Sequence, residues 1–259
     1  MKQFLKKLAP GLFSKLKSIK KRRQFRLGHG GSEYRAKVAL VRAHGLKILT
    51  GPFAGMDYGD DVACSAYVAK LVGSYEEELH DAIAAIVADQ PTTVIDVGCA
   101  EGYYAVGFAR LLPNATIYAY DTDIEAQQFC RELAKRNNVA DRVRINGFCD
   151  HAELRKLTTS PAFILSDCEG FELELLNPQH VTGLSLCTML IELHDFLSPG
   201  LTATLTHRFE NTHRITLINT QDRDPNKYEV LKPVLEADRR FAVREGRPAA
   251  MQWAYLEPK

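Results

Sequence analysis

No apolar stretch in this 259-residue chain approaches the roughly 18 to 20 residues that span a bilayer, so no membrane-embedded helix is expected. The N-terminus has neither the continuous apolar segment nor the small-residue cleavage site of a secretory signal, which points to a cytoplasmic protein. Cysteine is scattered: the six, at 64, 99, 130, 149, 168 and 187, form no Cys-x-x-Cys pair and meet no His-x-x-x-His partner. A structural zinc site is therefore not expected, and buried free thiols are. Acid is missing altogether from residues 1–26, which hold ten Lys and Arg; beyond them 23 basic residues face 32 acidic ones, so a formal charge of +1 hides a body at net −9. An acidic body is a poor platform for nucleic acid, whose phosphates demand many basic contacts. Internal repeats and low-complexity tracts are also missing.

What is present suffices for a proper core: hydrophobic residues make up 46% of the chain, which suits one sizeable domain with a short extension. The acid-free segment spaces Phe4, Leu5, Leu8, Leu12, Phe13, Leu16 and Ile19 among lysines, with Pro10 and Gly11 as a break. It reads as a basic amphipathic extension over 1–26. Two roles stay open: peripheral adsorption to an anionic membrane, at about 1 kcal/mol per basic residue, or a solvated end. Residues 27–74 read as a small N-terminal subdomain whose KILTGPFAGMDY at 47–58 predicts a hairpin. Ser74 and Glu77 suggest a capping box for a helix over 75–88 with Leu79, Ile83, Ile86 and Val87 on its apolar face. Glu76, Glu77 and Glu78 complement the dipole of that helix, and Arg239, Arg240, Arg244 and Arg247 read as a solvated helix end, with binding of an anionic acceptor as the alternative.

From residue 93 the chain alternates β-rich runs with helical ones, the pattern of a doubly wound, mostly parallel α/β sheet. The spacing predicts strands at 93–97, 116–120, 143–146, 163–166, 188–193, 214–219 and 251–256. Helices are expected at 104–112, 124–137, 152–157, 172–176, 201–209 and 228–241, the last kinked at Pro233. Trp253 and Tyr255 in the final strand suit edge or core packing.

Chemistry concentrates in VIDVGCAEGYYAVGFA at 94–109. Asp96, Gly98 and Gly102 form Asp-x-Gly-x-x-x-Gly at a strand-to-helix turn, where missing Cβ atoms let backbone approach a ligand. Ala100 stands where a dinucleotide fold prefers its second glycine, so pyrophosphate is less well provided for. The next strand ends in YAYD, and Asp121 lies about 20 residues beyond the turn, where an acid accepts hydrogen bonds from ribose hydroxyls. Turn and acid together imply an adenosine ligand.

VIDVGCAEGYY, YAYD, ILSDCEGFELELL at 164–176 and LIELH at 190–194 resemble the S-adenosylmethionine-dependent methyltransferases, and within them the FkbM-type group. The resemblance covers about residues 75–256 and implies a Rossmann-like sheet of seven strands, the last antiparallel, in a methyltransferase domain spanning 75–259. It further implies that Asp96, Gly98 and Gly102, with Cys99 and Ala100 in the same turn, hold the methionine end of the cofactor. Asp121 would take the ribose, and the loop 147–150, with Phe148 and Asp150, the adenine.

Ligands of doubly wound sheets sit outside the carboxyl ends of the strands, and the fourth and fifth strands end in Asp167, Glu169, Glu192 and His194. A hydroxyl acceptor needs its proton removed, and His194 is the candidate base. Asp167 and Glu169 could orient that base or receive the cofactor's amino group; alternatively Asp167, Glu192 and His194 could gather a divalent metal. The function expected is O-methylation of a sugar, glycolipid or related small molecule. N-methylation, a nucleotide-binding module without catalysis and an NAD-dependent enzyme remain as alternatives.

Overall fold

The computed structural model describes residues 31–60, 66–247 and 251–259. The basic extension 1–26, with its membrane reading, and Cys64 lie outside the described residues. Among those described, no helix is long and apolar enough to cross a membrane.

The strands are β1 (Thr93–Val97), β2 (Thr116–Tyr120), β3 (Val143–Asn146), β4 (Phe163–Ser166), β5 (Thr188–Leu193), β6 (His213–Asn219) and β7 (Gln252–Pro258). They form one sheet in the order β3-β2-β1-β4-β5-β7-β6. Pairing is parallel from β3 through β5, while β7 runs antiparallel to both β5 and β6. The first five strands match the expected ranges residue for residue. The last two are longer by one residue at the start of β6 and displaced by one or two at β7.

Two apolar layers cover the sheet, and strand alternation divides the side chains between them. Val94, Phe163, Leu165, Leu190, Trp253 and Tyr255 enter one layer; Ile95, Ile164, Met189, Ile191, Ala254 and Leu256 enter the other. Trp253 is therefore core, as expected. On the first layer lie α1 (Ser32–His44), α2 (Tyr67–Val72), α3 (His80–Ala88), α4 (Tyr103–Leu111), α5 (Ile124–Arg136) and α9 (Glu236–Ala242); α6 (His151–Leu157), α7 (Glu172–Leu175) and α8 (Leu201–Phe209) lie on the other.

Three local expectations are corrected. The stretch 47–58 carries only an isolated bridge, Lys47 to Asp57; it is a compact loop that drives Phe53 against Gly107, where a Cβ would lie 2.6 Å from the ring. No capping box forms, because the Ser74 hydroxyl donates backwards to the Ala69 carbonyl (3.3 Å), and Glu76 takes a left-handed backbone with φ 50°. The long helix expected at 228–241 is two 3₁₀ turns, Pro225–Lys227 and Glu229–Leu231, followed by α9. Pro233 separates them by removing an amide the helix would need.

The helices of residues 27–74 were not anticipated. In α1, Ala36 and Leu40 are its buried positions, one helical turn apart on one face. Arg35 clamps Asp238 of α9 through two hydrogen bonds of 2.7 Å. This segment packs into the first apolar layer over the sheet.

Candidate active site

The turn after β1 is built by close approach. Gly98 has φ 88°, and a Cβ on it would lie 1.7 Å from the Asp167 carbonyl oxygen; only glycine lets the ends of β1 and β4 meet. The amides of Gly98 and Cys99 both donate to the Tyr120 carbonyl (2.9 and 3.0 Å), tying the turn to β2. Ala100, at φ 48°, donates its amide to Asp121 Oδ2 (2.9 Å), and Asp121 Oδ1 accepts from the Asp123 amide (2.7 Å). Each carboxylate oxygen can accept a second bond, so Asp121 both fixes the turn and keeps capacity for a ligand hydroxyl.

A cleft of about 520 Å³ opens at the carboxyl ends of β1, β2, β4 and β5, within the usual range for a small-molecule site. Of the sequence-nominated residues, Gly98, Ala100, Asp121 and Phe148 line one side of it, Asp167, Glu192 and His194 its floor, and Glu169 its rim. Four do not line it. The Asp96 carboxylate is buried with neither oxygen in a well-formed hydrogen bond; burial pushes it up to about 7 against the pull of the Ala105 amide. The Cys99 thiol turns towards Cys130. At Gly102 a Cβ would meet Cys130 Sγ at 2.6 Å, so this glycine serves the packing of α4 on α5. Asp150 caps α6 by accepting from the Glu153 amide (2.9 Å).

The lining suits an adenosyl amino acid. Phe148, 58% exposed, stands 5.3 Å from the Phe171 ring and offers a face to a flat heterocycle. Lys70 reaches the same cleft, buried against Glu101 (2.6 Å) with its ammonium 4.6 Å from the centre of the Tyr75 ring. The sequence signal for Lys70 was a lone lysine within YVAKLV, every residue of which is buried.

The floor gathers acids around one imidazole. His194 is 2% exposed. Its Nδ1 lies 3.0 Å from Oε1 of the fully buried Glu172, which also accepts from the Cys168 amide (3.0 Å). Its Nε2 faces Glu192 Oε2 at 3.3 Å, Asp167 Oδ1 at 3.5 Å and Glu169 Oε2 at 3.8 Å. Burial disfavours the imidazolium, but the carboxylates of Glu172 and Glu192 outweigh it and hold His194 up at about 10. Burial also raises Glu192, yet bonds from His194 and Asp167 and the charge of Arg247 bring it down to about 2. Asp167 is pushed well above the carboxylate range by burial, then by Glu192. At neutral pH the imidazole is therefore cationic, and its use as a base requires that proton to leave first.

Two readings from sequence are overturned beside this floor. Arg247 is not a solvated helix end; it bonds Glu192 Oε1 (2.6 Å), Glu76 (2.5 Å) and Glu245 (2.7 Å). Glu76 and Glu78 do not simply complement a dipole. Glu76 is buried and raised to about 7 by desolvation, which Arg247 opposes, and Glu78 pairs with the buried Arg223. Nothing in the local pattern separates these residues from a surface charge run, because their partners are up to 171 positions away.

Residues 80–159 match the sequence model of the methyltransferase small domain family. That range includes β1, the glycine turn, Asp121 and the Phe148 loop. No curated protein matches the chain. Among solved structures it is similar to a human methyltransferase 10 domain containing protein (13% identity, 87% of this chain and 97% of that one, TM-score 0.47). It is similar also to the O-methyltransferase TomG from Streptomyces achromogenes, in complex with SAM (14%, 86% and 89%, 0.46), and to an O-methyltransferase from Bacillus cereus, in complex with SAH (12%, 88% and 92%, 0.45). Residues 80–159 are thus similar to the methyltransferase small domain family, and they are set in a seven-stranded doubly wound sheet of Rossmann-like α/β architecture.

Proposed function

We propose that the chain transfers the methyl group of S-adenosylmethionine to a hydroxyl of a sugar, glycolipid or related small molecule, as an FkbM-like enzyme. One observation carries the reading: the Gly98 turn with Asp121 and the cluster of Asp167, Glu192 and His194 open into the same cleft. When bound, S-adenosylmethionine supplies a methyl carbon on a cationic sulfur, and the carbon–sulfur pair returns to sulfur as an acceptor lone pair takes the carbon. Asp121 accepts from the ribose hydroxyls, and Phe148 stacks on the adenine. Because the donor is already activated, the floor has two tasks, aligning the acceptor and taking its proton. His194 in its neutral form takes that proton at Nε2, while Asp167 and Glu169 orient the imidazole and the incoming hydroxyl. The acidic floor also suits an amine, so N-methylation is the second reading. Residues 1–26 would hold the protein against an anionic membrane beside a glycolipid acceptor.

Calorimetry with S-adenosylhomocysteine and with NAD is the test. Binding of the first and not the second is expected; the reverse would make the protein a nicotinamide enzyme. Binding without turnover on a panel of hydroxyl and amine acceptors would leave a non-catalytic module. Asp121→Ala is expected to weaken S-adenosylhomocysteine by about 1.5 to 3 kcal/mol, the worth of hydrogen bonds to a charged group. Unchanged affinity in a variant that melts like the wild type would remove Asp121 from the ribose site.

A further inference from the structure

Oxygen and nitrogen atoms that all act as electron-pair donors converge on the cleft floor. Asp167 Oδ1, Glu192 Oε2 and His194 Nε2 lie within 4.8 Å of one another, and Nε2 is 3.5 and 3.3 Å from the two oxygens. These spacings exceed the roughly 2.7 to 2.9 Å of a charge-assisted hydrogen bond. They approach the separation of neighbouring ligands around one ion bonded at about 2.0 to 2.2 Å. We propose that Asp167, Glu192 and His194 form a divalent-cation site of the manganese type, whose open positions receive the acceptor oxygen.

Three further features fit such a site. First, the imidazole is oriented from behind: Nδ1 is 3.0 Å from Oε1 of Glu172, which is fully buried. With the Nδ1 proton donated to that carboxylate, an ion that displaces the proton at Nε2 meets a lone pair aimed at Asp167 and Glu192. Metal-bound histidines are held in this way by a carboxylate behind the ring. Second, Glu192 is divided between two tasks. Its Oε1 is bound by Arg247 (2.6 Å), which fixes the side chain and leaves Oε2 on the His194 side. Arg247 is also engaged by Glu76 and Glu245, so its single charge does not cancel the carboxylates of the floor. Third, Glu169 stands at the rim, 77% exposed, with Oε2 3.8 Å from Nε2; it can add an outer ligand without leaving the loop. Two carboxylates and one imidazole form a mixed oxygen and nitrogen set that suits manganese better than a soft ion.

The role of the ion rests on the methyl-transfer reading of the cleft, whereas its binding does not. Placed at the ends of β4 and β5, it would hold the acceptor oxygen beside the methyl donor and lower its proton affinity, as a Lewis acid does; in the ion-bound form Nε2 is a ligand and the metal replaces His194 as the group that activates the acceptor.

The experiment uses the full chain, freed of metal with chelator and desalted, titrated with Mn²⁺ while free Mn²⁺ is read by electron paramagnetic resonance. S-adenosylhomocysteine affinity is measured in parallel by calorimetry. One Mn²⁺ per chain is expected. Asp167→Asn should weaken it at least tenfold and Glu172→Gln roughly 10- to 100-fold, while Glu132→Gln on the exposed face of α5 changes nothing. Absence of stoichiometric Mn²⁺ binding below millimolar concentration, with S-adenosylhomocysteine still bound, overturns the cation site and leaves the methyltransferase reading intact. Stoichiometric binding that survives both Asp167→Asn and Glu192→Gln also overturns it, because the ion then sits elsewhere. Mn²⁺ binding lost in Asp167→Asn without S-adenosylhomocysteine affinity in any form supports the site and removes the cofactor.

Discussion

Gly98→Ala is expected to lower the melting temperature by about 10 °C and to cost at least a hundredfold in S-adenosylhomocysteine affinity. The added Cβ would lie 1.7 Å from the Asp167 carbonyl oxygen and 2.7 Å from its carbon. Both are backbone atoms, and the Asp167 amide is bonded to the Val97 carbonyl (2.9 Å), so neither strand end can yield alone. A φ of 88° adds the cost of a left-handed backbone with a side chain, about 1 to 2 kcal/mol, and overpacking adds about 1 to 3 kcal/mol. Roughly 3 to 4 kcal/mol in a domain of this size corresponds to a shift of about 10 °C. Relief requires β1 to part from β4, which moves the turn proposed to face the cofactor. Gly147→Ala is the control: it lines the same cleft, an added methyl there meets no atom within 4 Å and its φ is not positive, and it should melt within about 2 °C of wild type. Calorimetry and thermal melts on both variants check this. A Gly98→Ala protein with wild-type melting and affinity would mean that the two strand ends are not in contact.

The sheet was legible because its information is local. Apolar runs such as TVIDV and TIYAY are bounded by turn residues, and strand boundaries follow from a few neighbouring side chains. Legibility failed where a residue's state depends on a distant partner. Lys70 and Arg247 look like ordinary surface charges until Glu101 and Glu76 are brought to them. The family resemblance put Asp150 in the adenine loop, but its carboxylate caps α6 and does not line the cleft. Cys99 and Gly102 sit in the right motif with the wrong orientation, since both face Cys130 on α5. The cluster at the ends of β4 and β5 was found because strand geometry predicts it: residues 190, 192 and 194 share a face, as do 163, 165 and 167. What strand geometry could not supply was Glu172. It lies in the quoted ILSDCEGFELELL but is read there as the first residue of a short helix, and only the fold turns it under the His194 ring.

That buried carboxylate would give the proposed catalytic site its pH dependence. Asp167 and Glu169 from the end of β4, Glu172 from α7 and Glu192 from β5 all face His194, with Arg247 behind Glu192. Of these, Glu172 and Glu192 hold its proton to about pH 10, although burial alone would release it earlier. A base with that affinity is deprotonated in about one molecule in a thousand at pH 7. In chelator-treated enzyme, turnover at saturating S-adenosylmethionine should therefore rise about tenfold per pH unit from 7 to 9 and level near 10. Glu172→Gln removes the negative charge at Nδ1, so the rising limb should move towards lower pH. His194→Ala should lose roughly 10²- to 10⁴-fold at pH 9, retain S-adenosylhomocysteine affinity and flatten the profile. Mn²⁺ supplies the complementary arm. An ion on Nε2 occupies the lone pair that would take the proton, so the limb set by His194 should disappear when Mn²⁺ is added to wild type and persist when it is added to Asp167→Asn. A flat profile in the metal-free wild type, with His194→Ala fully active, would remove the imidazole from proton transfer and leave that task to the carboxylates of Asp167 and Glu192.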